Sequence, residues 1–149
     1  MRVILQRVSR ASVHIEGYPT ESIGPGLVVL IAVAHHDAEK DADYLLAKIA
    51  GLRIFPDDQG KMNRSVLDIG GELLVVSNFT LYGDCRKGRR PSFDLAAPPE
   101  RAQQLYDYFV QRAKQTCPVV RTGVFQAHMQ VELENSGPVT LICDSISRE

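Results

Sequence analysis

The stretch LENSGPVT at residues 133–140 is either a turn between two strands or a piece of one, and the C-terminal end of the sheet depends on which. Before it, Met129, Val131 and Leu133 alternate with Gln130, Glu132 and Glu134, the period of a half-buried strand. After it, Val139, Thr140, Leu141 and Ile142 read as another strand. Gly137-Pro138 makes a poor strand interior, because proline lacks the N–H that a ladder needs and glycine weakens an extended chain. Asn135-Ser136-Gly137-Pro138 is rich in turn formers, so local chemistry alone predicts a hairpin turn.

Outward from this point, the chain supplies strands and helices in a legible order. Residues 2–15 carry Val3, Leu5, Val8, Val13 and Ile15 and read as an N-terminal strand. After the break at Gly24-Pro25-Gly26, residues 27–34 are apolar without alternation, which predicts a strand buried on both faces. Asp37 is placed to cap a helix over 38–50, with Ala42, Leu45, Leu46 and Ile49 on one stripe and Gly51 just past the end. Residues 52–55 predict a short strand and 56–60 a turn. A strand over 72–76 continues into 77–81, and a loop rich in Gly and Arg follows, up to Pro91. Pro98-Pro99 opens a second helix running to about Lys114. Its stripe of Ala102, Leu105, Tyr106, Phe109 and Ala113 predicts core rather than a ligand site. Residues 119–125, 129–133 and 139–143 complete the strands. No repeat or linker divides the sequence. The expectation is one compact α/β domain over 1–149, with two main helices and a mostly β core.

Composition narrows the functional classes. The 149 residues are 44% hydrophobic and 23% charged, ordinary for a soluble globular chain. A net charge of −1 argues against wholesale coating of nucleic acid, so anion binding must come from a local patch. The longest apolar run, 27–34, is far short of a membrane span, and no secretory signal is evident, so no membrane association is expected. Cys85, Cys117 and Cys143 are odd in number and widely spaced, which predicts free thiols in a reducing cytoplasm. His14, His35, His36 and His128 show no metal-ligand spacing and read as surface histidines.

The chemistry-bearing residues are sparse. Arg86, Lys87, Arg89 and Arg90 surround Gly88 and form a concentrated phosphate-binding candidate, although charged loops are commonly just solvated. Mutual repulsion disfavours such a cluster unless an anion compensates it. Thr80 has no base next to it in sequence, and Cys85 has cationic neighbours but no paired histidine. No two carboxylates form an evident acid–base pair. These features suggest a site made largely of backbone groups. Two alternatives stay open: an RNA- or phosphate-binding module without catalysis, and a hydrolase with Cys85 or Thr80 as covalent nucleophile.

SNFTLYGDCRKGRRPSF at 77–93 and NSGPVT at 135–140 resemble the two signature motifs of the D-aminoacyl-tRNA deacylase family. Similarity extends through QRVSRASV at 6–13, GPGLVVLI at 24–31, KMNRSVLDIGGELLVVS at 61–77 and MQVELEN at 129–135. The sequence departs from the family pattern at four positions. Asn78 replaces a usual Gln, Gln126 a Gly, His128 an Asp and Ser136 a common Asp. The resemblance implies a barrel-like mixed sheet and hydrolysis of the ester in D-aminoacyl-tRNA, with no cofactor. Ser77, Asn78, Phe79 and Thr80 would form the catalytic segment. Main-chain N–H groups near Phe79 and Thr80 would meet the oxyanion, Thr80 would position, and the substrate's ribose 2′-OH would assist water. Gly137 and Pro138, in a cis peptide, would enter the pocket of the other subunit of a homodimer and reject L-amino acids, and Met129 would also meet substrate. Arg86, Lys87, Arg89 and Arg90 would hold tRNA phosphates.

Overall fold

The computed structural model describes residues 1–145. Its elements are β1 (Arg2–His14), β2 (Glu21–Ile23), β3 (Gly26–Ala32), α1 (Glu39–Gly51), β4 (Phe55–Pro56), β5 (Met62–Arg64) and β6 (Glu72–Ser77). A 3-10 turn (Phe79–Tyr82), α2 (Pro99–Thr116), β7 (Val120–Thr122) and β8 (Gln130–Asp144) follow. β1 is the axis of the main sheet. It pairs antiparallel with β8 on one side, and on the other with β3 and then β2. β3, β6 and β7 continue as parallel neighbours, and the whole forms a nearly closed, barrel-like mixed sheet. β4 and β5 make a separate small hairpin.

The unbroken apolar run is a strand with two dry faces, as its lack of alternation predicts. Leu27, Val29 and Ile31 turn to a core shared with Leu45 and Ile49 of α1 and Leu105 and Phe109 of α2. Val28, between them, joins Val8, Val13, Leu74 and Val76 in a second cluster on the opposite face. Each such fully buried side chain contributes roughly 1.5–3 kcal/mol of hydrophobic stabilisation. β3 and β6 also approach each other closely at their start. A Cβ on Gly26 would lie 1.9 Å from the Glu72 carbonyl oxygen, so only glycine fits there.

The structure corrects several sequence expectations. LENSGPVT is not a hairpin: both flanking segments belong to β8 and pair with β1 in one line. Gln6 faces Thr140 and Val8 faces Asn135, so residues 136–139 stand opposite Arg7 alone, as an outward excursion of the strand. Asp37 does not cap α1. It is 4% exposed, and its carboxylate instead accepts hydrogen bonds from the Met1 amine (2.5 Å) and the Ala34 N–H (2.6 Å). The cap falls to Ala38, whose N–H donates to Asp41 Oδ2 at 2.8 Å, and Gly51 is the last helical residue rather than the one beyond. The strand over 72–81 stops at Ser77, where the 3-10 turn takes over. The segments at 52–55 and 119–125 contribute only Phe55–Pro56 and Val120–Thr122 as strand.

Candidate active site

A cavity of about 1180 Å³ opens where β6 ends, between the 3-10 turn, the start of α2 and the loop from β7 to β8. Ser77, Asn78, Phe79 and Thr80 line it, and so does Met129 from the far side. Gly137, Pro138, Arg86, Lys87, Arg89 and Arg90 are not among its lining residues. One chain therefore brings together the expected catalytic segment and Met129, but neither the Gly-Pro pair nor the basic loop.

The turn after Ser77 decides what the cavity presents. In a 3-10 turn each N–H reaches back three residues. Leu81 N–H thus bonds to Asn78 O at 3.3 Å, and Gly83 N–H to Thr80 O at 2.9 Å. The N–H groups of Phe79 and Thr80 precede this ladder, and both residues line the cavity. Arg2 pins the turn from behind: it donates to Leu81 O (3.2 Å) and to Asp144 (2.7 Å), and lies over the Tyr82 ring. Gly83 allows Phe93 to close on the turn, since a Cβ there would meet the Phe93 ring at 3.0 Å. Phe93 and Phe79 meet edge to face, with centroids 5.2 Å apart, and both are exposed at the mouth.

The two nucleophile candidates fare differently from what a covalent mechanism needs. The Thr80 hydroxyl donates to Asn78 Oδ1 at 2.5 Å, and an amide oxygen is too weak a base to take that proton. Cys85 is exposed in the basic loop, outside the cavity lining. Among the described residues, no group of three or more His, Cys, Asp or Glu is arranged to hold a metal ion, and no helix is long and apolar enough to cross a membrane.

The basic loop is a closed excursion. Asp84 and Ser92 exchange backbone hydrogen bonds of 2.7 and 3.0 Å at its neck, and Gly88 has the positive φ (67°) that its bend requires. Arg86 is already engaged, with Nε and Nη2 on the Asp84 carboxylate at 2.7–3.1 Å. That hydrogen bonding holds the Asp84 carboxyl down at about 2. The repulsion expected within the cluster is therefore partly relieved by a carboxylate, and Lys87, Arg89 and Arg90 are exposed beside it, as is Arg86 itself.

The excursion at Gly137-Pro138 is held from both sides. The peptide bond between them is cis, and both residues are exposed. Arg7 Nε donates to Ser136 O at 2.8 Å, while its Nη1 donates to Ile54 O at 2.6 Å. Asn135 closes the base: its Oδ1 accepts from Val139 N–H at 2.7 Å, and its Nδ2 donates to Val139 O and Thr140 Oγ1, both at 3.1 Å. A side-chain amide thus supplies the bonds that the strand ladder lacks there.

Sequence reasoning missed several wall residues. Tyr106 and Ala102 belong to the core, as their stripe predicts, yet they also line the cavity. Tyr106 donates to Val75 O at 3.1 Å. His35 and Phe93 reach the cavity from loops, with His35 Nε2 donating to Asp94 O at 2.8 Å, and no periodicity marks either residue. Gln126 also lines it, with φ 65°, a left-handed conformation that costs a non-glycine residue about 1 kcal/mol.

Residues 4–144 match the model of the family described as D-Tyr-tRNA(Tyr) deacylase. The chain belongs to that family. The D-aminoacyl-tRNA deacylase of Koribacter versatilis (strain Ellin345) is 59% identical over 145 residues, 97% of either chain. That of Heliobacterium modesticaldum (strain ATCC 51547 / Ice1) is 58% identical over 144 residues, 97% of this chain and 96% of the relative. Among solved structures, the c-Myc DNA Unwinding Element Binding Protein superposes with a TM-score of 0.92 at 39% identity, covering 99% of this chain and 100% of its own. The barrel-like α/β architecture is thus shared with that protein.

Proposed function

We propose that the protein hydrolyses the ester joining a D-amino acid to the 3′-terminal ribose of tRNA, releasing both. The observation that carries this reading is a cavity walled by Ser77, Asn78, Phe79 and Thr80, the segment whose main-chain N–H groups the reading assigns to the oxyanion. Preorganised N–H donors suit an oxyanion, because they need no rearrangement as charge develops on the attacked carbonyl. Water is the nucleophile, the substrate's ribose 2′-OH assists it, and Thr80 positions through its bond to Asn78. Met129 meets the aminoacyl group from the opposite wall, and Lys87, Arg89 and Arg90, with Arg86 at the loop's neck, hold phosphates of the acceptor end. The reaction needs no metal or organic cofactor, and it belongs in the cytoplasm, where tRNA is charged.

Selection against L-amino acids is assigned to Gly137 and Pro138 of a second copy of this chain. The pair is exposed, lies outside its own cavity lining and is fastened through Arg7 and Asn135, which suits an element offered to a partner. Backbone held in this way cannot rotate aside as a side chain does, so an L side chain would collide with it. The working unit is then a homodimer of single-domain chains. Such a device has no grip on glycine, which lacks a Cβ, so glycyl-tRNA mischarged on a non-cognate tRNA is also cleaved.

Deacylation of D- and L-tyrosyl-tRNA tests the reading: rapid loss of the D ester with the L ester intact is expected. A second reading, nucleic-acid binding without hydrolysis, is favoured by the exposed cations of the basic loop lying apart from the cavity. The 39%-identical DNA Unwinding Element Binding Protein carries a name of that kind. Tight binding of tRNA with both esters left intact would establish the second reading and overturn the first.

A further inference from the structure

Gly123 and Met129 bracket the loop that joins β7 to β8, and the sulfur of one fills the space where a side chain on the other would begin. A Cβ on Gly123 would lie 2.4 Å from Met129 Sδ and 3.6 Å from its Cε. Gly123 is not among the glycines with positive φ, so its backbone conformation is open to any residue. The obstacle to a larger residue is therefore the thioether alone. Gly123 N–H is also tied to Val75 O at 3.2 Å, which fixes the backbone to β6. If a Cβ were added, the flexible methionine would yield before the chain did.

Where the sulfur would go follows from its surroundings. On one side Met129 packs against the cluster of Val8, Val13, Val28, Leu74 and Val76, which is close-packed interior. On the other side it borders the cavity. The cavity offers the open space that the packed cluster does not.

We propose that Gly123 is a positioning residue that sets substrate range. Its missing side chain lets Met129 lie back against the core, and this keeps the cavity wide enough for a large acyl group. The proposal rests on the deacylase reading of the cavity. It assigns Gly123 no contact with substrate, so its effect must pass through Met129.

The test combines Gly123→Ala, Met129→Ala and the double variant. Steady-state kinetics on D-tyrosyl- and D-alanyl-tRNA are paired with methyl-¹³C methionine NMR. The chain has 3 methionines, Met1, Met62 and Met129, so the Met129 methyl resonance is assigned by its loss in Met129→Ala. Gly123→Ala is expected to move that resonance and to raise KM for D-tyrosyl-tRNA by about tenfold, the order of a steric misfit of one or two carbons. The kcat should stay within about twofold, and D-alanyl-tRNA should be less affected. In the Met129→Ala background the same substitution should change KM by less than about twofold, because the clash is gone. An unmoved methyl resonance, an unchanged KM, or a KM rise that persists in the Met129→Ala background would each overturn the proposal. The last comparison stands even if Gly123→Ala alone folds poorly. Should the unmodified protein cleave no D-aminoacyl-tRNA, the functional reading fails, while the methyl resonance still reports whether Gly123 holds Met129 in place.

Discussion

Replacing Asn135 with alanine should loosen the Gly137-Pro138 excursion without touching the cavity wall. The side chain makes three hydrogen bonds, to Val139 N–H, Val139 O and Thr140 Oγ1, at 2.7, 3.1 and 3.1 Å. A net value of about 0.5–1.5 kcal/mol each would give roughly 1.5–4.5 in full burial. Asn135 is only half-buried and Thr140 is exposed, so water recovers part of this and about 2 kcal/mol is the expected loss. It falls on the excursion, because residues 136–139 have only Arg7 opposite them on β1. A change of about 2 kcal/mol multiplies the population of loosened conformers by about 30. If this element rejects L side chains, cleavage of L-tyrosyl-tRNA should rise by up to about that factor while D-tyrosyl-tRNA is cleaved at nearly the original rate. Asn135→Asp keeps the acceptor for Val139 N–H but sets a carboxylate against Val139 O, so it should not rescue. The assay is the D/L ratio of initial deacylation rates, with urea unfolding at fixed protein concentration to measure the stability loss. A stability loss near that value with an unchanged D/L ratio would refute the assignment of selectivity to the excursion. No stability loss would refute the hydrogen-bond argument itself.

Other substitutions probe the remaining parts of the site. Thr80→Ala and Cys85→Ala should each keep deacylase activity within about tenfold, as measured by ester loss from D-tyrosyl-tRNA; a loss of about a thousandfold would mark a primary catalytic group. Removing Lys87, Arg89 or Arg90 should flatten the salt dependence of tRNA binding by about one unit of slope for each phosphate left without its cation. Arg86→Ala should change it less, because Arg86 is already paired with Asp84, and an equal change in all four variants would contradict that division. Gln126→Gly relieves a left-handed φ of 65° and should raise stability by about 0.5–1 kcal/mol in urea unfolding, and a lowered midpoint would contradict the strain argument.

What is legible in the sequence follows from which residues carry a periodic signal. The double-faced run in β3, the stripe of α1 and that of α2 all declare themselves, because burial imposes a fixed period on apolar side chains. Asp37 misleads because an N-cap rule sees only neighbours in sequence, whereas the Met1 amine reaches it from the far end of the fold's first strand. The excursion misleads for a related reason. Turn chemistry at Asn-Ser-Gly-Pro is real, but whether the chain reverses or bulges depends on the strand alongside, and β1 accepts both flanks of the stretch. The proposed use of backbone groups at the site has the same property on a larger scale. The N–H groups of Phe79 and Thr80 are present in any sequence; what would distinguish them is a turn whose ladder begins at Leu81, in residues that line the cavity. The visible traces are the glycines and prolines that permit such geometry: Gly83 under Phe93, Gly123 beside Met129, and Gly137-Pro138 opposite Arg7. For this kind of active site the informative residues are those with the least side-chain chemistry, and their meaning appears only when the group occupying the vacated space is known.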